Sequence, residues 1–235
     1  MSYKVLITTS GTGSRLGELT KTTNKALLPI NDRPAIAYIF DSYPADTEFI
    51  ITVGYLGEQV QEALPRLFPD KHFSFVTVDC YDGPGSSLAY SMLCAEPLLQ
   101  TPFIFHSCDT IVLGKTIPPA DRNWVAGYVM EGDLSHYRTI EADGANTIVR
   151  IHDKKEGHSP NVLIGILGIL DYVAYWGHLR RLYDANALDQ TLNDTSPFND
   201  MMHEGIAIKL VPFPMWLDTG NLSALQRTTE YYARV

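Results

Sequence analysis

Apolar residues in the first half of the chain gather in short, unbroken runs. Runs of this kind are typical of strands buried on both faces, because no polar residue alternates with the apolar ones. Four strand-like segments rich in apolar residues lie at residues 4–9, 49–53, 73–78 and 102–106. Three helices are predicted between them, at residues 34–43, 57–68 and 87–99. This alternation of strand and helix predicts a parallel sheet with helices on both faces.

The pattern changes after residue 109. Strand-like segments lie at residues 124–130, 147–151, 162–170 and 207–212, and helices are predicted at residues 171–185 and 222–234. Turn-rich segments separate the strands, which indicates a mixed sheet with an antiparallel part. Without an internal repeat or a linker, the chain is predicted to be one α/β domain over residues 1–235. Its two halves, 1–112 and 113–235, meet near Pro118 and Pro119, which interrupt the pattern.

Composition and charge exclude several classes of function. The chain has 235 residues and a net charge of −9, which argues against a nucleic-acid-binding protein. No apolar run approaches the ~20 residues of a membrane span, and the N-terminus lacks signal-peptide features, so a cytoplasmic protein without membrane insertion is expected. The histidines lack ligand spacing, and His106 is interpreted as a packed polar residue. The cysteines lie far apart and favour neither disulfides nor a metal site: Cys80, Cys94 and Cys108.

The turn after the first strand carries the strongest chemical signal. It reads Thr9-Ser10-Gly11-Thr12-Gly13-Ser14-Arg15-Leu16. Two glycines allow a tight bend that points backbone N–H groups at a phosphate or a base edge, at the end of the sheet where α/β proteins bind ligands. The turn is neither a P-loop nor a dinucleotide fingerprint, because no Gly-Lys-Ser/Thr follows and Leu16 replaces the third glycine. A guanidinium at Arg15 suits a polyphosphate.

A second cation, Lys25, follows at the head of the apolar run Ala-Leu-Leu-Pro-Ile. The two segments together resemble the sugar-phosphate nucleotidyltransferase family, whose opening motif is G-x-G-S/T-R-L and then P-K-x-L/M-L/V-P. Phosphocholine cytidylyltransferases of similar length share this motif. The chain departs from it in having Thr8-Thr9-Ser10 where two alanines are usual and Asn24 where proline is usual. The resemblance implies a Rossmann-like, three-layer mixed sheet of the nucleotide-diphospho-sugar transferase type.

The resemblance also assigns roles to residues along nearly the whole chain, in the family's order. It makes Arg15 and Lys25 the catalytic cations and implies that Asp109 and Asp218 bind the metal. It implies that Lys154 or Lys155 binds the acceptor phosphate. Both lysines stay candidates, because the proline that follows the lysine in the family is absent. Gly165 is implied to line the acceptor pocket. The residues implied to contact the nucleotide are Thr9, Ser10, Gly11, Gly13, Ser14, Gly85, Ser86 and Ser87.

The activity implied by the resemblance is Mg²⁺-dependent transfer of a nucleoside monophosphate from an NTP to a sugar phosphate or phospho-alcohol. Pyrophosphate is released, and the product serves surface polysaccharide synthesis. The acceptor phosphate, with a second pKa of about 6, is a dianion at pH 7 and needs no general base. The small residues at 8–10 and 83–87 predict a narrow base slot that prefers CTP or UTP, with CTP slightly favoured. A homo-oligomer is compatible with the sequence.

Simpler explanations exist for each of these residues. Asp109 and Asp218 are both placed where an aspartate caps a helix, Lys25 is of a type usually found at the surface, and Arg15 is spaced to pair with Glu18. Two other functions also stay open. One is a glycosyltransferase on the same fold, which usually carries an Asp-x-Asp motif. The other is a module that binds nucleotide sugars without turning them over.

Overall fold

A computed structural model describes residues 3–156 and 159–234 of the chain. The strands of this described part are β1 Lys4–Thr8, β2 Pro29–Ile30, β3 Arg33–Pro34, β4 Glu48–Val53, β5 His72–Thr77, β6 Phe103–Ser107, β7 Thr110–Leu113, β8 Trp124–Val129, β9 Thr139–Ala142, β10 Ile148–His152, β11 Asn161–Ile169, β12 Lys209–Pro212 and β13 Met215–Asp218. Its α-helices are α1 Ala35–Phe40, α2 Gly57–Leu67, α3 Leu88–Ala95, α4 Tyr172–Ala185, α5 Phe198–His203 and α6 Leu222–Tyr232.

A nine-stranded sheet forms the middle of the molecule. Its main order is β10-β9-β11-β6-β1-β4-β5; β8 joins it beside β11, and β12 pairs with β8. Strands β6, β1, β4 and β5 are parallel, as the alternation of strands and helices predicts. Strand β11 is antiparallel to β6, so the sheet continues from the first half of the chain into the second. The predicted α/β class with a mixed sheet is confirmed.

The alternation of side chains along β1 shows why both faces of the sheet are covered. Val5 and Ile7 lie in one buried cluster with residues of α1 and α2, whereas Leu6 lies in a second cluster with residues of α3 and α4. Successive residues of a strand point to opposite faces, so each face of β1 packs against its own layer of helices. All three side chains are fully buried. This arrangement accounts for the three predicted layers.

Some element boundaries differ from the sequence prediction. The helix predicted at residues 34–43 is shorter, Ala35–Phe40, and the helix predicted at 87–99 ends at Ala95 and continues as a 3-10 turn, Glu96–Leu98. Pro97 lacks the N–H that an α-helix needs at this point. Strand β9 and helix α5, of four and six residues, are too short for their patterns to be recognised.

A separate two-stranded sheet places the ends of two segments side by side. Strands β7 and β13 pair antiparallel, with Asp218 opposite Thr110. Residue 109, which directly precedes β7, is therefore brought next to the end of β13.

Among the described helices, none combines the length and the apolar character needed to cross a bilayer.

Candidate active site

The turn after β1 is held by buried hydrogen bonds at the carboxyl end of the sheet. Thr9 is buried, and its Oγ1 donates to the carbonyl oxygen of Thr52 at 2.8 Å. Ser10 Oγ lies 2.9 Å from Ser91 Oγ on α3. Gly13 has a φ of 67°, and a Cβ there would lie 2.9 Å from Thr20 Cγ2. A glycine is therefore required at position 13, both for its backbone conformation and for the space.

Asn24 occupies the position where the family usually has proline, and its side chain explains the difference. Its Nδ2 donates to the carbonyl oxygens of Thr9, at 3.1 Å, and Tyr55, at 2.8 Å. Its Oδ1 accepts a hydrogen bond from the N–H of Ala26 at 3.0 Å. The buried amide thus ties the turn after β1 to the segment that carries Lys25.

Three charged side chains converge beside Gly220. A Cβ at this glycine would lie 2.9 Å from Asp109 Oδ2, 3.0 Å from Asp218 Oδ1 and 3.1 Å from Arg15 Nη2. The structure therefore brings together the two aspartates and the arginine that the sequence predicted, from three separate segments. Gly220 follows Asp218 by two residues, but its position next to all three side chains is visible only in the folded chain.

The two carboxyl groups differ in their electrostatic surroundings. Burial acts to raise the pKa of Asp109, but the ammonium of Lys25, the hydroxyl of Ser107 and the guanidinium of Arg15 together hold this pKa below its usual value. Ser107 Oγ donates to Asp109 Oδ1 at 2.5 Å, and Arg15 Nη2 lies 3.7 Å from Asp109 Oδ2. Burial, and then the charge of Asp109, raise the pKa of Asp218. A further cation between the two carboxylates would stabilise both in the ionised form.

Lys25 stays positively charged in this site. Electrostatic interaction with Cys108, and then with Asp109, raises the pKa of Lys25, whereas burial acts to lower this pKa. Burial raises the pKa of the Cys108 thiol as well, so the thiol is protonated at pH 7. Asp109 is therefore the anion that faces the Lys25 ammonium at neutral pH.

The simpler explanations of Asp109, Asp218 and Arg15 disagree with the structure. Asp109 is followed by strand β7, not by a helix, and the cap of α6 is Asn221, whose side chain accepts a hydrogen bond from the N–H of Ala224. Glu18 forms its ion pair with Lys21 at 2.7 Å, whereas Arg15 faces Asp109. The His106 interpretation agrees with the structure, since this buried ring hydrogen-bonds to Tyr43 and to the carbonyl oxygen of Thr110.

A cavity of about 160 Å³ opens onto the charged centre. Of the residues predicted from sequence, its lining contains Arg15, Asp109, Lys154, Gly165 and Asp218. Gly165 has a φ of 75°, and a Cβ there would lie 2.9 Å from Ser107 Cβ. Lys155 is not among the lining residues. The lining also includes side chains that sequence reasoning missed: His136, Tyr137, Arg138, Asp194 and Trp216.

A larger cavity of about 750 Å³ adjoins the small one on the side of the second half of the chain. Leu88, Arg138 and Lys154 line both cavities. The rest of the larger cavity is mostly lined by side chains with amide and hydroxyl groups, including those of Gln190 and Asn199. The two cavities together form a polar pocket that ends at the charged centre.

The turn before α3 lies beside the small cavity. Gly85 has a φ of 90°, which favours glycine, and Ser86 Oγ donates to the carbonyl oxygen of Gly83 at 2.7 Å. Ser87 caps α3 by accepting a hydrogen bond from the N–H of Tyr90 at 3.0 Å. None of the three predicted residues of this turn, Gly85 to Ser87, lines the small cavity, but the next residue, Leu88, does.

Two carboxylates, those of Asp109 and Asp218, lie at the charged centre. Among the described residues, no group of three or more histidine, cysteine, aspartate or glutamate side chains is placed to hold a metal ion. Asp109 and Asp218 nevertheless offer the hard oxygen atoms that Mg²⁺ prefers, and Mg²⁺ is commonly held by one or two carboxylates plus phosphate oxygens and water. The donor set therefore fits a magnesium ion that arrives with a nucleotide.

Known proteins of similar sequence and structure were compared with this chain. No protein-family model matches the chain. A UTP–glucose-1-phosphate uridylyltransferase from Salmonella typhimurium is 28% identical over 177 residues, and the match spans 60% of this chain and 60% of that relative.

Solved structures match nearly the full length of the chain. A CTP:phosphocholine cytidylyltransferase from Streptococcus pneumoniae has a TM-score of 0.80 at 19% identity, covering 99% of this chain and 100% of its own. A UDP-glucose pyrophosphorylase complexed with UDP-glucose has a TM-score of 0.78 at 19% identity, covering 100% of this chain and 99% of its own. The chain therefore has the fold of the sugar-phosphate nucleotidyltransferases, and the resemblance predicted from its sequence is confirmed.

Proposed function

We propose that this protein is a nucleotidyltransferase that transfers a nucleoside monophosphate from an NTP to a phosphorylated acceptor and releases pyrophosphate. The observation that carries the proposal is the convergence of Asp109, Asp218 and Arg15 beside Gly220. These groups meet at the carboxyl end of a mostly parallel sheet, where α/β proteins bind their ligands. Similarity to a uridylyltransferase and a fold shared with a cytidylyltransferase support the same class of reaction.

Asp109 and Asp218 would hold Mg²⁺. The bound ion neutralises phosphate charge and makes the α-phosphorus a better electrophile. The low pKa of Asp109 keeps one carboxylate ionised for this purpose. The raised pKa of Asp218 reflects burial beside a second carboxylate, and a divalent cation would relieve both effects.

Arg15 and Lys25 would bind the triphosphate. The Arg15 side chain is 67% exposed, and its one ion pair within the described part of the chain is a long one with Asp109, so it is available to a ligand. Lys25 is positively charged at neutral pH beside Asp109. Both cations would stabilise the charge that develops on the α-phosphate and on the departing pyrophosphate.

In the proposed reaction, an oxygen of the acceptor phosphate forms a bond to the α-phosphorus. The bond between the α-phosphorus and the α,β-bridging oxygen breaks, and its electrons leave with pyrophosphate. The acceptor phosphate is a dianion at neutral pH, so no side chain has to remove a proton. The burial of His106 and the engagement of both its ring nitrogens agree with this, because the ring is not available as a base.

The acceptor would bind from the side of residues 113–235, and the nucleotide from the side of residues 1–112. Lys154 lines both cavities and is therefore assigned to the acceptor phosphate in preference to Lys155. Gly165 lines the small cavity, where a Cβ would lie 2.9 Å from Ser107 Cβ, so a side chain has no room at this position. The amide and hydroxyl groups of the larger cavity suit a sugar phosphate or another phospho-alcohol.

The turn after β1 and the turn before α3 would flank the base. Their small residues favour CTP or UTP over the purine nucleotides. The product would be an activated sugar or a CDP-linked alcohol for surface polysaccharide synthesis, as the family resemblance implies.

Pyrophosphate release tests the proposal. The protein is incubated with Mg²⁺, each of the four NTPs, and glucose 1-phosphate, glycerol 3-phosphate or phosphocholine as acceptor. The proposal predicts pyrophosphate release that depends on both substrates and yields a nucleotide-linked product. A folded protein that releases no pyrophosphate with any pair, but transfers sugar from a nucleotide sugar, would instead be a glycosyltransferase. A protein that only binds nucleotide sugars would be the non-catalytic module.

A further inference from the structure

Arg138 lies where the two cavities meet. It directly precedes β9, lines both cavities together with Lys154, and its side chain is 16% exposed. The guanidinium therefore faces the pocket from a mostly buried position. Arginines placed in this way usually serve a buried ion pair or an anionic ligand.

Three consecutive side chains hold the guanidinium of Arg138. Its Nη1 donates to Asn193 Oδ1 and to Thr195 Oγ1, and it forms an ion pair with Asp194 Oδ1 at 3.1 Å. Within the described residues, every hydrogen bond of this guanidinium comes from Nη1. Nε and Nη2 are left with their hydrogens available to a ligand in the cavities.

The turn that holds Arg138 is itself fixed to the core. The Asp194 side chain is only 2% exposed, and the hydroxyl of the fully buried Tyr175 donates to the carbonyl oxygen of Asp194 at 2.7 Å. The N–H of Thr195 donates to Asn193 Oδ1 at 2.9 Å. A guanidinium fixed in this way loses little conformational entropy when it binds a ligand.

Arg138 and Lys154 place two positive charges on the wall of one pocket. Burial lowers the pKa of Lys154, and the charge of Arg138 lowers it further, which shows that the two cations repel each other. Asp194, only 2% exposed, pairs with Arg138 at 3.1 Å and lines the small cavity but not the larger one. A dianionic group between Arg138 and Lys154 would attract both cations and so offset their mutual repulsion.

We propose that Arg138 binds the phosphate of the acceptor together with Lys154, and that the turn at residues 193–195 holds its guanidinium in position. The inference rests on the proposed function and adds a binding residue to it. A guanidinium binds phosphate through two parallel N–H groups, which Nε and Nη2 supply here. The phosphate then lies near the charged centre, and the rest of the acceptor extends into the larger cavity.

Arg138 has two roles to be separated by the test: it binds a ligand, and it neutralises the buried charge of Asp194. Three variants do so: Arg138→Gln, Arg138→Lys and the double variant Arg138→Gln with Asp194→Asn. Inorganic phosphate is the probe, and its dissociation constant is measured by calorimetry. Each titration is made with and without Mg²⁺ and the α,β-methylene analogue of the NTP that the wild-type protein incorporates.

Arg138→Gln is expected to weaken phosphate binding at least about tenfold, with nucleotide affinity changed less than about twofold. Arg138→Lys keeps the charge but lacks the paired donors, so an intermediate loss is expected. The double variant leaves no unpaired buried charge and should regain thermal stability while phosphate binding stays weak. Unchanged phosphate affinity in Arg138→Gln, or recovered affinity in the double variant, would overturn the inference. A wild-type protein that binds no NTP would contradict the proposed function, and the titrations without analogue would still decide the role of Arg138.

Discussion

One carboxylate oxygen of Asp109 and one of Asp218 lie close to the same point, which is the position that a Cβ on Gly220 would occupy. A methyl group on Gly220 would lie 2.9 Å from Asp109 Oδ2 and 3.0 Å from Asp218 Oδ1. The antiparallel register of β7 and β13 produces this relationship, because it pairs Asp218 with the residue that follows Asp109. The space beside Gly220 is therefore available to whatever the two carboxylates bind.

Gly220→Ala is expected to lower kcat at least ~10-fold and leave the fold intact. The added methyl group would meet the ends of three side chains, which are able to move, so the cost to stability is small. Their movement would displace both carboxylates and Arg15 from their common point, and a misplacement of 1 Å can cost about 100-fold in rate. Steady-state kinetics and thermal unfolding of the variant check this.

Gly144→Ala is the matched control, because a Cβ at Gly144 meets no atom within 4 Å. Its kcat should equal that of the wild-type protein. Wild-type kcat in Gly220→Ala would show that the convergence beside this glycine has no part in turnover.

The first half of the fold was predictable because its strands are buried on both faces. Strand β4, with Phe49, Ile50 and Ile51 in succession, therefore stands out in the sequence. Strand β9 and helix α5 were not recognised, because their four and six residues are too few to show a period. Their positions depend on long-range pairing, such as that of β9 with β10 and β11.

The charged centre was predictable in part. Arg15, Lys25, Asp109 and Asp218 lie in segments whose order resembles one family, and the fold brings them together. Arg138 carried no signal, because the turn that holds it comes more than fifty residues later and only the folded chain brings the two together. The proposed preference for Lys154 over Lys155 also rests on the structure, because Lys154 lines both cavities and Lys155 is absent from both linings.

Lys154→Ala is expected to raise the KM for the phosphorylated acceptor roughly 10-fold or more and to leave the KM for the NTP nearly unchanged. Lys154 lines both cavities, and the variant removes a charge-assisted hydrogen bond to the acceptor phosphate. The adjacent Lys155→Ala removes the same charge outside the cavity lining and should behave like the wild-type protein. If Lys154→Ala changed only the KM for the NTP, the acceptor phosphate would lie elsewhere.

The base preference is expected to favour CTP or UTP, with CTP slightly ahead. The buried Thr9 and Ser10 and the turn at 83–87 present small groups, and a site that hydrogen-bonds a base edge rejects the wrong base because its polar groups stay unpaired. The measurement is competition among the four NTPs at equal concentration with one acceptor. Predominant incorporation of a purine nucleotide would refute the narrow slot.

Stability is expected to fall as the pH decreases from about 6.5 to about 4, in part because of His106. Burial lowers the pKa of this histidine to about 4. Between the two pKa values the unfolded chain binds a proton that the folded chain does not, so acid favours unfolding. The full contribution is about 3 kcal/mol, present at neutral pH and lost as the pH falls through this range.

His106→Gln keeps polar groups for Tyr43 and Thr110 but does not titrate. Chemical denaturation of both proteins at pH 7 and at pH 4.5 measures the free energy of unfolding. The variant should lose less stability between the two pH values than the wild-type protein. Equal losses in both proteins would show that His106 titrates normally in the fold.

The most direct measurement of the central claim follows the α-phosphate itself. An NTP labelled at this phosphate is incubated with a phosphorylated acceptor, Mg²⁺ and either the wild-type protein, Asp109→Asn or Asp218→Asn. Label is expected to enter a nucleotide-linked product with the wild-type protein, and EDTA should stop the transfer. Each variant should fold but transfer label at least ~100-fold more slowly. Transfer that continues in EDTA, or at the wild-type rate in either variant, would contradict the account.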